Sequence, residues 1–296
     1  MIRPVNFAYN AETAVNNAFQ VAGNAVGVQE KALIEFNEFV NLLEREGVDV
    51  TVVNDTPEPH TPDSIFPNNW ISFHHDGSII LYPMYAANRR AERKPAVLEA
   101  LKKKFRISRT IDLSAKEKEN HFLEGTGSLV LDRENKIAFA CLSPRTDPDL
   151  VVEFCKALDY RSVLFHANDQ KGAPIYHTNV MMCVADRYVV ACLASISEQE
   201  ERQSVIRSIV LSGKELVEIS FEQMNHFAGN MLQVENDQGG KLLVMSSQAY
   251  ASLTEPQLKT LASFNRIIHA PLFVIEKNGG GSARCMMAEI HLPRLS

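Results

Sequence analysis

The chain has 296 residues, 45% hydrophobic and 22% charged, with a formal charge of −6. This is the composition of a soluble globular protein, and its mild acidity excludes the basic footprint of a nucleic-acid binder. No apolar stretch reaches the roughly 18 residues that span a bilayer, and Met1–Glu30 shows no charged-then-apolar leader. A cytoplasmic protein without nucleic-acid or membrane partners is the expectation, and a homo-oligomer stays open.

Predicted elements follow in chain order. Gln29–Arg45 places Leu33, Phe36, Val40 and Leu43 on one helical stripe, and Val48–Val53 reads as a strand. PNNWISFHHDGSIILYPM from Pro67 is a hairpin about the turn HHDGS. Arg89–Phe105 reads as a helix and Ile107–Ile111 as a strand. GTGSLVLDRENKIAFACLS from Gly125 is a second hairpin, followed by helix Asp147–Leu158 and strand Ser162–Phe165. YHTNVMMCVADRYVVACLAS from Tyr176 is a third, followed by helix Ser197–Leu211 and strand Glu215–Ile219. AGNMLQVENDQGGKLLVMSS from Ala228 is a fourth. Helix Thr254–Phe264 comes next, with Thr254 as N-cap before Glu255 and Pro256, and then strand Arg266–Ile275.

The hairpins repeat. Each opens on a small polar residue: Asn69, Ser128, Asn179 and Asn230, at steps of 59, 51 and 51. A further 55 residues lead to Cys285, which opens CMMAEI. Helix, strand, link and hairpin in five units predict an α/β fold with pseudo-five-fold repeats, a five-bladed α/β propeller formed by residues 1–296 as one domain. A doubly wound α/β sheet is the alternative, but a hairpin after every helix–strand pair fits a purely parallel sheet poorly. In a radial array, equivalent positions of different units converge on one cavity.

Five cysteines occur, with no CxxC and no zinc-ligand spacing. Cys141, Cys155, Cys183 and Cys192 sit among apolar neighbours and read as small buried hydrophobes. Cys285 follows a run of three glycines and Arg284. Glycines let a backbone approach a ligand closely, and a thiol needs a base or a positive neighbour to react as thiolate. Arg284 and His177 are the candidates for that task. His177, at the mouth of the third hairpin, suits proton transfer near neutral pH. Glu124, before a glycine-rich bend, is placed to orient it or to bind a cationic substrate. The stiff loop Thr61–Trp70 brings Asp63, Phe66, Asn68 and Asn69 to a substrate wall. No phosphate loop, dinucleotide fingerprint, HExxH or GxSxG is present, so thiol chemistry without metal or organic cofactor is the option left.

The segments TPDSIFPNNW, NRRAER, LEGTGSLVLD, HTNVMM and GGGSARCMMAEI resemble, over essentially the whole chain, the pentein or guanidino-group-modifying superfamily. That group includes arginine deiminases, dimethylarginine dimethylaminohydrolases and amidinotransferases; the branch most similar to this sequence is the citrulline-utilisation hydrolases, or citrulline ureidases. The resemblance implies a Cys285 nucleophile, His177 as general acid/base, Glu124 as its orienting acid and Asp63 as holder of the substrate's terminal nitrogens. It also implies that Arg89, Arg90 or Arg93 grips an α-carboxylate of an amino-acid-like substrate. Two departures bear on that substrate. Arginine deiminases show His-x-Asp where this chain has His177-Thr178-Asn179, and their glycine bend ends in Asp where this one ends in Ser128. Neutral groups in place of two acids suit a neutral ureido group such as that of citrulline. An arginine or methylarginine hydrolase and an amidinotransferase are the alternatives of like chemistry. A non-catalytic ribosome-binding pentein is the alternative of another class.

Overall fold

The computed structural model describes residues 1–21 and 27–295. In chain order it contains β1 (Ile2–Arg3), α1 (Ala11–Ala14), α2 (Val28–Arg45), β2 (Val53–Asn54), β3 (Ile71–Phe73), β4 (Ser78–Leu81), α3 (Pro95–Lys102) and β5 (Arg109–Asp112). Then come α4 (Gly125–Ser128), β6 (Leu129–Asp132), β7 (Ile137–Cys141), α5 (Pro148–Leu158), β8 (Arg161–Phe165), α6 (Thr178–Met181), β9 (Met182–Val184), β10 (Tyr188–Ala191), α7 (Gln199–Leu211) and β11 (Glu215–Glu218). The chain closes with α8 (Phe221–Asn225), β12 (Leu232–Glu235), β13 (Lys241–Ser246), α9 (Ser247–Ser252), α10 (Glu255–Phe264), β14 (Arg266–Ala270) and α11 (Phe273–Gly279).

One motif recurs four times. An antiparallel hairpin is followed by a helix, and a third strand returns parallel to the second hairpin strand: β3-β4-β5, β6-β7-β8, β9-β10-β11 and β12-β13-β14. A parallel return needs a crossover, and the helix supplies it. Two of these helices begin where the sequence places them. Asp147 accepts from the Asp149 and Leu150 amides ahead of α5, and Thr254 forms a capping box with Gln257 ahead of α10. The stripe on α2 buries Phe36, Phe39, Val40 and Leu43, each worth roughly 1.5–3 kcal/mol of transfer free energy.

Three predicted elements end elsewhere. The helix expected over Arg89–Phe105 is broken: a 3₁₀ turn covers Asn88–Glu92, and α3 starts at Pro95. Lys94 is extended (φ −79°, ψ 129°), because the ring of a following proline disfavours the helical region. The strand expected over Arg266–Ile275 stops at Ala270, ahead of Pro271, and α11 follows. The free N–H groups of Val274 and Ile275 donate to the Glu35 carboxylate of α2. The strand expected over Val48–Val53 shrinks to Val53–Asn54, since only β1 offers it an edge.

The fifth unit is also not a hairpin. Ser282–Met287 forms tight turns, with the Cys285 amide bonded to the Ser282 carbonyl at 3.0 Å. β1 and β2 form a parallel pair bracketing α2, and Ile2 and Val53 pack with Ala288, Ile290 and Leu292 from the other chain end. Among the described residues each sheet is open and none closes on itself. No helix among them is long and apolar enough to cross a membrane.

The hairpin-opening turns nevertheless meet. Pro67–Asn69 packs on α4, and α4 packs on α6. Gly229 lies against the Val180 carbonyl, Asn230 touches Cys285, and the glycine run before Cys285 lies on the Phe66 ring. The candidate site forms where these turns face one another.

Candidate active site

Glu124 is fully buried at the head of α4. Its Oε1 accepts from the Tyr85 amide at 2.9 Å. Its Oε2 accepts from His177 Nε2 at 2.7 Å and from Arg145 Nη1 at 3.4 Å. Burial opposes its charge, but the Arg145 guanidinium and the His177 hydrogen bond outweigh that and hold the carboxyl well below the usual carboxylate range. A carboxylate can only accept, so His177 carries its proton on Nε2 and keeps the lone pair on Nδ1. Burial pushes the imidazole down to about 4 against the pull of Glu124, which makes it neutral near pH 7. Gly127 permits the arrangement: a Cβ there would stand 2.4 Å from Asn69 Nδ2 and 2.8 Å from His177 Nδ1.

Cys285 is 6% exposed. Its Sγ receives Asn179 Nδ2 at 3.4 Å and Asn230 Nδ2 at 3.3 Å. The turn that delivers it depends on Gly281, where a Cβ would meet the Phe66 ring at 2.9 Å. The other four cysteines are buried, and burial pushes their thiols up, Cys141 and Cys183 to about 12 and Cys155 to about 11.

Asp63 Oδ2 accepts from Asn10 Nδ2 at 2.8 Å and Thr13 Oγ1 at 3.1 Å. Burial raises its carboxyl above the usual range, with Arg89 pulling the other way. Its Oδ1 is buried and has no partner among the described residues. The same holds for both side-chain polar atoms of Asn68, for Asn69 Nδ2 and for Asn179 Oδ1. Buried polar atoms are rarely left unpaired in folded proteins, and those that are call for an explanation. Three acceptor oxygens, of Asp63, Asn68 and Asn179, and two amide N–H groups, of Asn68 and Asn69, are thus free on the Thr61–Trp70 loop and on the turn that follows His177. Phe66 is buried under Gly279 and Gly281 and backs the turn that carries Cys285.

The predicted arginines do other work. Arg89 is buried, with Nε and Nη2 on the Glu92 carboxylate at 2.8 and 2.9 Å and Nη1 on Asn69 Oδ1 at 2.8 Å. It fixes the Asn69 amide, so that Nδ2 is the free end. Arg90 donates to the Met84 and Tyr85 carbonyls and so holds the peptide whose N–H binds Glu124. Arg93 is paired bidentately with Glu117. Arg284, expected beside the sulfur, donates instead to the Met287 carbonyl and to Glu289 at 2.7 Å. A buried guanidinium binds where its fork can be filled, and Glu289 fills it.

Other residues of the site were not evident from the sequence. Arg145, 1% exposed, stacks over Tyr176 and donates to the Thr13 carbonyl, Asn16 and Glu124. Residues 10–20 lie across the site: Asn17 reaches the Gly279 and Gly280 carbonyls, and Gln20 the Asn278 carbonyl. The only sequence signal was the density of amides at Asn10, Asn16, Asn17 and Gln20 in a segment outside the repeat. Among the described residues, no group of three or more His, Cys, Asp or Glu side chains is placed to hold a metal ion.

The arrangement offers a thiol, a neutral imidazole with an oriented carboxylate, and free amide and carboxylate oxygens. It is suited to thiol attack on a planar nitrogen-bearing carbon. The profile of the family described as N,N dimethylarginine dimethylhydrolase, eukaryotic, matches residues 3–292.

The chain belongs to this family.

It is thereby a member of the pentein, or amidinotransferase-like, superfamily. Solved structures of similar fold include ArgZ, an arginine dihydrolase from the ornithine-ammonia cycle in cyanobacteria. Its apo form has a TM-score of 0.78 and 19% identity, covering all of this chain and 40% of that one. The substrate-bound N-terminal domain of ArgZ has a TM-score of 0.77 and 18% identity, covering 100% of this chain and 98% of that domain. A dimethylarginine dimethylaminohydrolase adduct with 4-chloro-2-hydroxymethylpyridine has a TM-score of 0.62 and 14% identity, covering 91% and 94%. This pentein thus spans about 40% of the full ArgZ chain. No curated protein matches it by sequence.

Proposed function

We propose that this pentein is a cysteine hydrolase that cleaves a C–N bond of an amino-acid-like ureido compound, with citrulline as the substrate that fits best. The observation that carries the reading is the polarity of the free groups. Among the described residues Asp63 Oδ1 is the one unpartnered buried carboxylate oxygen, and the other unpartnered atoms on the Thr61–Trp70 loop and on the turn that follows His177 belong to amides. Glu124 is already neutralised by Arg145 and engaged by His177. A buried guanidinium needs paired carboxylates; a ureido group, with one carbonyl acceptor and N–H donors, is served by amides and one acid.

In this reading Cys285 transfers its proton to His177 Nδ1 and attacks the ureido carbon. Glu124 stabilises the imidazolium that forms. The tetrahedral centre collapses as His177 protonates the departing amine, leaving ornithine and S-carbamoyl-Cys285. Water, deprotonated by His177, displaces the thiol. The carbamate released breaks down to carbon dioxide and ammonia. Asp63 Oδ1 and Asn179 Oδ1 accept from the terminal –NH₂, and Asn68 and Asn69 line the other side. Neither metal nor organic cofactor takes part. The four hairpin units, with β1–α2–β2 and the Cys285 segment as a split fifth, are read as five blades of one domain around this site, in a cytoplasmic protein.

A second reading, the same chemistry on arginine or a methylated arginine, draws on the family match and on the arginine dihydrolase ArgZ. Ammonia and ornithine release from citrulline, arginine and methylarginines, with Cys285→Ala as control, separates the two. Ornithine from citrulline alone, lost in the control, supports the first. Turnover of arginine or methylarginine alone replaces it with the second. Dependence on an added amine acceptor would point to amidino transfer.

A further inference from the structure

Among the described residues no cationic side chain hydrogen-bonds to the Cys285 sulfur. Arg284 is turned to Glu289, and His177 is bound to Glu124 through its Nε2. The polar atoms on Sγ belong to two amides, Asn179 and Asn230. Asn230 reaches it with both ends, Nδ2 at 3.3 Å and Oδ1 at 3.5 Å. The amide cannot turn over, because Nδ2 also donates to the Asn179 carbonyl at 2.9 Å, and a carbonyl only accepts. Asn230 is 1% exposed, and its own N–H is tied to the Phe227 carbonyl at 2.8 Å. Phe227 has φ 63°, a left-handed conformation that a bulky residue holds only where the surroundings impose it. The Phe19 ring packs on it at 5.1 Å. Strained backbone, full burial and a locked amide thus coincide at the sulfur.

We propose that Asn230 is a catalytic residue, an amide that serves the sulfur in both protonation states: Nδ2 donates to the thiolate, and Oδ1 accepts from the thiol. The inference rests on Cys285 being the nucleophile. A hydrogen bond to an ionised group is stronger than one to a neutral group, so the locked N–H favours the thiolate. Asn179 Nδ2 adds a second donor and leaves its Oδ1 for substrate. The titratable or charged groups on the elements around the sulfur include Tyr176 and His177 ahead of α6, Glu124 ahead of α4, Asp63 on the Thr61–Trp70 loop, Arg145, Glu276 of α11, which accepts from Ser282 on the turn of Cys285, and, turned away, Arg284.

The test is the rate at which iodoacetamide alkylates Cys285, followed by peptide mass spectrometry across pH, in the wild type, Asn230→Ala and Asn230→Asp. Loss of one hydrogen bond to an ion predicts a fall of about tenfold near pH 7 in Asn230→Ala, recovered at alkaline pH, and a larger fall in Asn230→Asp. Thermal melting shows that each variant is folded. Asn230→Ala carries the test if the aspartate variant does not fold. Profiles that superimpose on the wild type would overturn the proposal. Turnover by Cys285→Ala is scored separately: activity surviving there sinks the nucleophile reading, whereas unchanged alkylation sinks only the role of Asn230.

Discussion

Glu124 and His177 share a buried 2.7 Å hydrogen bond, although they stand 53 positions apart in the sequence. The contact sets the tautomer, and the tautomer sets which nitrogen can act as base. It also requires Arg145, whose guanidinium keeps Glu124 ionised.

Glu124→Gln keeps the shape and removes the charge. The imidazolium formed during turnover then loses its counter-ion. We expect kcat to fall by about 10²–10⁴ with a smaller change in KM, as for loss of a general-acid/base partner. A kcat within a few-fold of wild type would remove the orienting role.

The same pair predicts an acid-sensitive fold. His177 is lowered to about 4 in the folded protein and titrates near 6.5 when unfolded, so the unfolded chain binds the extra proton first. Stability is therefore lost as pH falls from about 6.5 towards 4. Glu124 is depressed, so its contribution is present above its unfolded value near 4.3 and declines below it. Urea unfolding across this range should show the decline, and His177→Gln should flatten its upper part.

Asn179→Asp should move preference from ureido towards guanidino compounds. It adds an anion on the turn that follows His177 and takes an N–H from the sulfur. We expect the ratio of kcat/KM for arginine over citrulline to rise at least about tenfold, near 1.4 kcal/mol of discrimination. Unchanged relative rates would end the ureido argument.

Arg145→Ala leaves Glu124 buried without its cation. Breaking one side of such a pair costs about 3–5 kcal/mol, so the denaturation midpoint should drop sharply and activity with it. Arg284→Met tests whether this guanidinium acts on the sulfur or only on the fold. Its guanidinium serves Glu289 and the Met287 carbonyl, so stability should fall while KM stays within about twofold.

Gly127→Ala should abolish turnover while the protein still folds. The added methyl collides with Asn69 Nδ2 and His177 Nδ1, and overpacking of this kind costs about 1–3 kcal/mol. Wild-type turnover in this variant would show that the two groups can move apart freely.

The sequence by itself determined what local pattern can carry. Turn residues and alternating apolar runs placed all four hairpins, Asp147 and Thr254 placed helix starts, and steps of 51 and then 55 residues put Asn179, Asn230 and Cys285 at corresponding positions. Equivalent positions in repeated units meet for geometric reasons, and the contacts of both amides with Sγ follow. Tertiary structure decided what depends on distant partners. Arg284 and Arg145 are both single basic residues in loops, and nothing within a few positions separates them. Glu289 draws one away, while Asn16, the Thr13 carbonyl and Glu124 hold the other at the site, across 129, 132 and 21 residues. A guanidinium goes where buried acceptors can fill its fork, and only the folded chain decides which acceptors those are.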